Sequence, residues 1–344
     1  MRTGRMIRAV EAHAEGEGGR VITGGMPVLH RASVFDKMEH MARRHDDLRL
    51  LMLREPRGNP ALCCNALVPP CDPRADAGFI VMEQTEYPPM SGSTATCVAT
   101  APLETGILPM VEPMTILRLE APARLIEVRA TCRGGRVERV DLTNVPAFAA
   151  HLDVPLEVPG PGCLTRDFAS GDIWFVIADA SRIGLSLDAA NGAEIVRAAE
   201  AVREAALAAF PVADPDNPAL RGPTIAQFTC PPTDPATHGR GAVTVSSGAR
   251  DPSRPGALTG ALGPSLKARI EGADPGGPLS GGHPQPVRPG MDHWPVATDA
   301  GPLRPVSGRL HRGGDLGGVT ARPSRHRYPP QVGLPANWNR TGKE

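Results

Sequence analysis

The residues of this chain that could do chemistry begin with Pro88-Pro89-Met90-Ser91-Gly92-Ser93-Thr94-Ala95-Thr96-Cys97. Two prolines, then Ser-Gly-Ser, then small residues predict a turn that feeds a helix N-terminus. The first backbone N–H groups of such a helix have no carbonyl partner, and the dipole end is positive, so a carboxylate can be held there. Gly92 has no side chain, which allows a ligand to approach the backbone closely. A serine before a helix most often caps it, so Ser91 and Ser93 have that simpler role open to them. A second group is His13, Glu15 and Glu17, a histidine with two carboxylates that acid–base chemistry could use and that more commonly is structural or solvated. Arg57 could pair with a carboxylate ligand or form an ordinary ion pair. The seven cysteines (Cys63, Cys64, Cys71, Cys97, Cys132, Cys163 and Cys230) are odd in number and irregularly spaced. That pattern predicts reduced thiols, and without a C-x-x-C or H-E-x-x-H spacing it predicts no metal site.

Short β-rich runs predict the strands that must carry these groups. They are Arg20-Val-Ile-Thr, Gly78-Phe-Ile-Val-Met, Met114-Thr-Ile-Leu-Arg-Leu, Leu125-Ile-Glu-Val-Arg-Ala and Trp174-Phe-Val-Ile-Ala, with Arg133-Gly-Gly as a hairpin turn. One helix is predicted from about Leu187 to Phe210, with Ile195, Ala199, Val202 and Ala206 on one face and Pro211 closing it. A shorter helix is predicted after Ser91, through Cys97 and Leu103, ending near Gly106. The class is α/β.

At 344 residues the chain can hold two ordinary domains or one duplicated fold. Its 37 basic and 37 acidic residues cancel, so no strong field argues for a nucleic-acid or membrane partner. No apolar run approaches the roughly 20 residues that span a bilayer, and the N-terminus lacks a signal-peptide pattern. A cytoplasmic protein acting on a small molecule is expected, with a homodimer as one open arrangement.

The last 104 residues differ. They contain 15 prolines, 19 glycines, one isoleucine and no phenylalanine, a composition that does not build a packed core. A disordered tail explains it. So does a GC-rich gene read out of frame, which yields Pro, Gly, Arg and Ala in abundance.

From about residue 7 to residue 250 the chain resembles the proline racemase and hydroxyproline dehydratase family. The resemblance rests on Ala12-His13-Ala14-Glu15-Gly16-Glu17 with Arg20-Val-Ile-Thr-Gly-Gly, on Glu55-Pro-Arg-Gly, and on Leu67-Val-Pro-Pro-Cys-Asp-Pro-Arg-Ala. The decisive block is Met90-Ser91-Gly92-Ser93, followed by Leu103-Glu-Thr-Gly-Ile-Leu-Pro-Met. Racemases carry Met-Cys-Gly there, and the serine version is similar to the trans-3-hydroxy-L-proline dehydratases. Leu119-Glu-Ala-Pro-Ala, Asn144-Val-Pro-Ala-Phe, Leu156-Glu-Val-Pro-Gly and Phe175-Val-Ile-Ala-Asp-Ala continue the match in order.

The resemblance implies a diaminopimelate-epimerase-like fold: two similar halves, each with a mixed sheet around a central helix and the active site between them. The approximate division is 1–180, 181–250 and a tail 251–344. It implies no cofactor and no metal. Ser91 is implied as the catalytic base, with Gly92 and Ser93 contacting substrate. Ser91 would need an activating partner, which the sequence does not identify. The second loop of the family is similar only in part: Arg250-Asp251-Pro-Ser253-Arg-Pro255-Gly256-Ala257 keeps Asp251, Ser253 and Gly256, but Pro255 replaces the cysteine or threonine. Asp251, Gly256 and Ala257 are the implied substrate contacts there. The expected reaction is dehydration of trans-3-hydroxy-L-proline, with 4-hydroxyproline epimerisation or proline racemisation, and an inactive member, as alternatives.

Overall fold

A computed structural model describes residues 6–14, 17–59, 61–143, 148–171, 173–215, 217–231, 240–245 and 257–259. Two large sheets carry the chain. The first has seven strands in chain order: β1 (Arg8–Ala14), β2 (Glu17–Gly24), β3 (Cys63–Val68), β4 (Ala77–Met82), β5 (Met114–Glu120), β6 (Leu125–Arg133) and β7 (Arg136–Thr143). Pairs β2–β3 and β4–β5 are parallel, and the others are antiparallel. Each parallel pair needs a helical crossover. Helices α1 (Val34–Arg44) and α2 (Asp46–Leu53) supply the first, and α3 (Gly92–Glu104) the second.

The second sheet has the order β15-β14-β13-β10-β9-β8. It is built from β8 (Phe148–Val158), β9 (Gly162–Ser170), β10 (Trp174–Asp179), β13 (Ile225–Cys230), β14 (Arg240–Val245) and β15 (Ala257–Thr259). Helix α4 (Gly192–Ala209) crosses over between the parallel strands β10 and β13. Strands β11 (Val212–Ala213) and β12 (Arg221–Gly222) pair apart. Strands β8, β9 and β10, which the approximate division at residue 180 groups with the first half, hydrogen-bond within this second sheet.

Each sheet wraps one helix. Helix α3 touches β1, β2 and β3 on one side and β6 and β7 on the other, while α4 touches β8, β10, β13, β14 and β15. Ile195, Ala199, Val202 and Ala206 of α4 are buried against Phe168, Val176, Ala226 and Phe228, the face the sequence predicts. Helix α3 is enclosed on all sides, with Ser93 through Leu103 buried. A helix rich in Ser and Thr tolerates this because its hydroxyls bond back to the preceding turn: Thr94 Oγ1 to the Ser91 carbonyl, Thr96 Oγ1 to Gly92 and Thr100 Oγ1 to Thr96. Small residues let the sheet come close. A Cβ on Gly19 would stand 2.6 Å from Cys97 Sγ.

On the outer face of the first sheet, α1 and α2 cover a separate layer of Ile22, Met41, Leu48, Ile80 and Met82. The predicted hairpin turn lies between β6 and β7, where Gly134 and Gly135 take φ of 60° and 74°, a region glycine enters without strain. The architecture is the expected diaminopimelate-epimerase-like one, an α/β fold of two helix-centred mixed sheets.

Candidate active site at the start of helix α3

Ser91 is the N-cap residue of α3, with extended backbone angles of −153° and 125°, yet its side chain accepts no cap hydrogen bond. The first intrahelical bond runs from Ala95 N–H to the Ser91 carbonyl at 2.9 Å. That leaves the N–H groups of Gly92, Ser93 and Thr94 without a helix acceptor. Ser91 and Gly92 are half-buried, while Ser93 and Thr94 are buried. The segment leading in is held from the next hairpin, where Ala123 N–H donates to the Pro89 carbonyl at 3.1 Å. Beside it, Arg124 of that hairpin reaches Asp214, in the connection between β11 and β12, at 3.6 Å.

Period-two alternation decides which acids meet this helix end. Ala12, Ala14 and Val21 face α3, so Glu17 and Gly19 face it too, through the pairs Ala14↔Glu17 and Ala12↔Gly19. His13 pairs with Gly18 on the opposite face, so His13 and Glu17 do not converge. Glu15 lies outside the described residues. Burial raises the Glu17 carboxyl above the ordinary range, and the neighbouring Ser93 hydroxyl pulls it partly back. Ser93 Oγ lies 3.4 Å from Ser91 Oγ.

Behind Glu17 sits a buried acid–thiol cluster. Cys63 Sγ donates to Glu83 Oε1 at 3.8 Å, and Glu83 Oε2 is buried without a partner. Burial above all, then Glu86 and Glu17, push the Glu83 carboxyl well up. Cys97 is pushed up to about 12 by burial and by Glu17, and Cys63 also rises through burial. Those thiols stay protonated at neutral pH and are inert as nucleophiles or bases. All seven cysteines are free, as expected. Cys63 faces α3, whereas Cys64 packs on the α1–α2 layer.

Glu83 gives a stability signature. Its proton is held more tightly folded than unfolded, so its contribution is fully present below about pH 4.5 and is lost as pH rises toward the raised folded value. Glu83→Gln is expected to flatten that decline by about 1.4 kcal/mol per pH unit inside the window. Urea midpoints measured from pH 5 to 8 check it, and parallel wild-type and variant curves would contradict it.

Arg57 lies elsewhere, in a shallow cleft of about 430 Å³ lined by Ile7, Ala9, Glu11, Arg20, Leu51 and Met52. There its Nε donates to the Leu51 carbonyl. Asp251 and Gly256 lie outside the described residues. Ala257 opens β15, opposite Val245. Sequence reasoning missed Glu83 and the nearness of Glu17 to Ser93. Strand parity from Val21 back to Glu17 was the available signal for the second.

The family model for proline racemase matches residues 9–270, further than the point near 250 where the sequence resemblance ends. A hydroxyproline epimerase from Agrobacterium vitis, solved with bound trans-4-hydroxy-L-proline, is 33% identical. The match covers 75% of this chain and 73% of that one, with a TM-score of 0.69. A probable proline racemase from Agrobacterium radiobacter K84, solved with bound carbonate, is 30% identical over 87% of this chain and 91% of that one, with a TM-score of 0.71. The chain belongs to the proline racemase family.

Proposed function

We propose that this protein removes the Cα proton of a hydroxyproline with Ser91 and eliminates the 3-hydroxyl, converting trans-3-hydroxy-L-proline to pyrroline-2-carboxylate. The observation that carries the reading is Ser91 at the α3 N-cap with its hydroxyl unused for capping, beside three N–H groups free of helix acceptors. Those N–H groups suit the substrate carboxylate, which gains charge as Cα–H breaks. Donors fixed where charge develops lower such a barrier most. Gly92 and Ser93 line that approach, and Asp251, Gly256 and Ala257 are assigned to the second half-site. The chemistry needs only protein groups.

Stereochemistry favours elimination by a one-faced site. In trans-3-hydroxy-L-proline the Cα hydrogen and the 3-hydroxyl lie on the same face of the ring. One group can therefore take the proton and return it to the departing hydroxide, releasing water, and the enamine then tautomerises to the cyclic imine. Epimerisation needs a proton donor on the opposite face as well. Serine in place of cysteine at residue 91 weakens that symmetric pair. The epimerase reading draws support from the similarity to the Agrobacterium vitis protein.

Incubation in deuterated water separates the readings. The dehydratase yields imine from trans-3-hydroxy-L-proline, while an epimerase labels and inverts Cα of 4-hydroxyproline or proline. Cα exchange without elimination would overturn the dehydratase assignment, and no reaction with any of the three would identify an inactive member.

A further inference from the structure

A serine hydroxyl attacks Cα–H only if another group takes its own proton. Two placements suit such a path: the 3.4 Å separation of Ser91 Oγ from Ser93 Oγ, and Glu17 on the α3-facing side of β2, two residues from Gly19, which meets Cys97 one helix turn on from Ser93. The first is longer than the roughly 2.5–3.0 Å usual between hydroxyls, a slackness common in catalytic pairs before substrate arrives. Ser91 is free to join because it caps nothing. Glu17 is aimed there by the β1–β2 register, on the same face as Gly19, whose missing side chain lets α3 lie against the strand.

We propose that Glu17 is the positioning residue that activates Ser91 through Ser93, a carboxylate–hydroxyl–hydroxyl relay. The inference rests on Ser91 being the base. In the resting site Ser91 donates to Ser93 and Ser93 donates to the Glu17 carboxylate. As Ser91 Oγ accepts the Cα proton, its hydroxyl proton passes to Ser93 Oγ and the Ser93 proton passes to Glu17. The Cα–H bonding pair stays on the substrate. On elimination that pair forms the Cα–Cβ double bond, the C–O bond breaks, and the proton stored on Glu17 returns along the same path to the leaving hydroxide.

The groups facing Glu17 suit a store of this kind. On β1 its register partner is Ala14, with no charge. From β3 comes the neutral thiol of Cys63, from the end of β4 the carboxyl of Glu83, and from α3 Cys97 and Ser93. Among these described neighbours no cation faces it, and burial holds its pKa above the ordinary carboxylate range. Glu17 is thus a stronger proton acceptor than a surface carboxylate.

The test measures kcat and KM against pH for the full chain with trans-3-hydroxy-L-proline. In the wild type kcat/KM is expected to fall on the acid side as Glu17 becomes protonated, with a midpoint above 4.5, the ordinary glutamate value. Glu17→Gln should remove that acid limb and lower kcat about 10²-fold or more, with KM little changed. Glu17→Asp should restore the limb, and Ser93→Thr should rescue what Ser93→Ala loses. A Glu17→Gln enzyme that keeps both its rate and its acid limb overturns the relay. A second readout is independent of turnover. The Glu17 carboxyl, assigned by carbon-13 difference from Glu17→Gln, is titrated in wild type and Ser93→Ala. Loss of the bond should raise its midpoint, and an unmoved midpoint overturns the relay. If the wild type is inert toward every proline-class acid, the functional reading fails and the titration alone decides the relay.

Discussion

Ser91→Ala is expected to lower Cα deprotonation by about 10²–10⁴-fold, the usual contribution of a positioned general base, while changing stability by less than about 0.5 kcal/mol. The split follows from the unused cap. An ordinary N-cap serine costs about 1 kcal/mol when removed because its oxygen satisfies a helix N–H. Ser91 makes no such bond, and its contact with Ser93 at 3.4 Å is a weak one. Deuterium incorporation at Cα with the natural substrate reads the first effect, and thermal unfolding reads the second. A large loss of stability with a proportionate loss of rate would identify Ser91 as structural. Full retention of exchange would remove it from the chemistry.

Phe228→Ala carries the largest expected stability effect. Phe228 is fully buried at the centre of β13, between Ala178 of β10 and Ala242 of β14, and packs toward α4. Truncating such a ring costs about 3–5 kcal/mol. Its core is separate from the one around α3, so the loss should be local. Amides of β10 and β13 are expected to exchange faster by a few hundred- to a few thousand-fold, roughly. Those of β3, β4 and β5 should keep their protection. Equal acceleration in both sheets would mean that the halves open as one unit.

Much of the frame was legible in the chain. Helix α4 announced itself through Ile195, Ala199, Val202 and Ala206, because period 3.6 survives wherever only one face is buried. Helix α3 had no such stripe, being buried all round, and its start was visible only through the Pro-Pro-Met-Ser-Gly turn. Helix α1 was passed over although its signals were present: Ser33 caps it by accepting from the Asp36 N–H at 3.0 Å, and Arg43 and Arg44 close its last turn. Pro155 obscured β8. It is tolerated because β8 is an edge strand, and an edge is a property of the assembled sheet.

In the candidate site, Ser91, Gly92 and Ser93 were nameable from their order, and Glu17 from its place near His13. What the sequence could not supply was direction. The two residues sit four apart, so a hairpin intervenes before their side chains are aimed. Only pairing with β1 and packing on α3 send Glu17 toward Ser93 and His13 away. The Arg124–Asp214 contact joins residues ninety positions apart, and no local pattern encodes such a meeting.

Strand order in both sheets has a consequence for how the molecule is made. Along the first sheet each strand pairs with the one before it, and the second is laid down from β8 toward β15 in the same sense, β11 and β12 pairing by themselves. As a nascent chain leaves the ribosome, every new strand finds its template already formed, and none must be inserted between established neighbours. All pairings through β13 are available before residue 240 is synthesised, and each sheet grows at one edge while its first strand, β1 or β8, forms the other. An alteration late in the gene therefore falls after every strand of the first sheet, and after helix α3 with Ser91 at its mouth, has already been made.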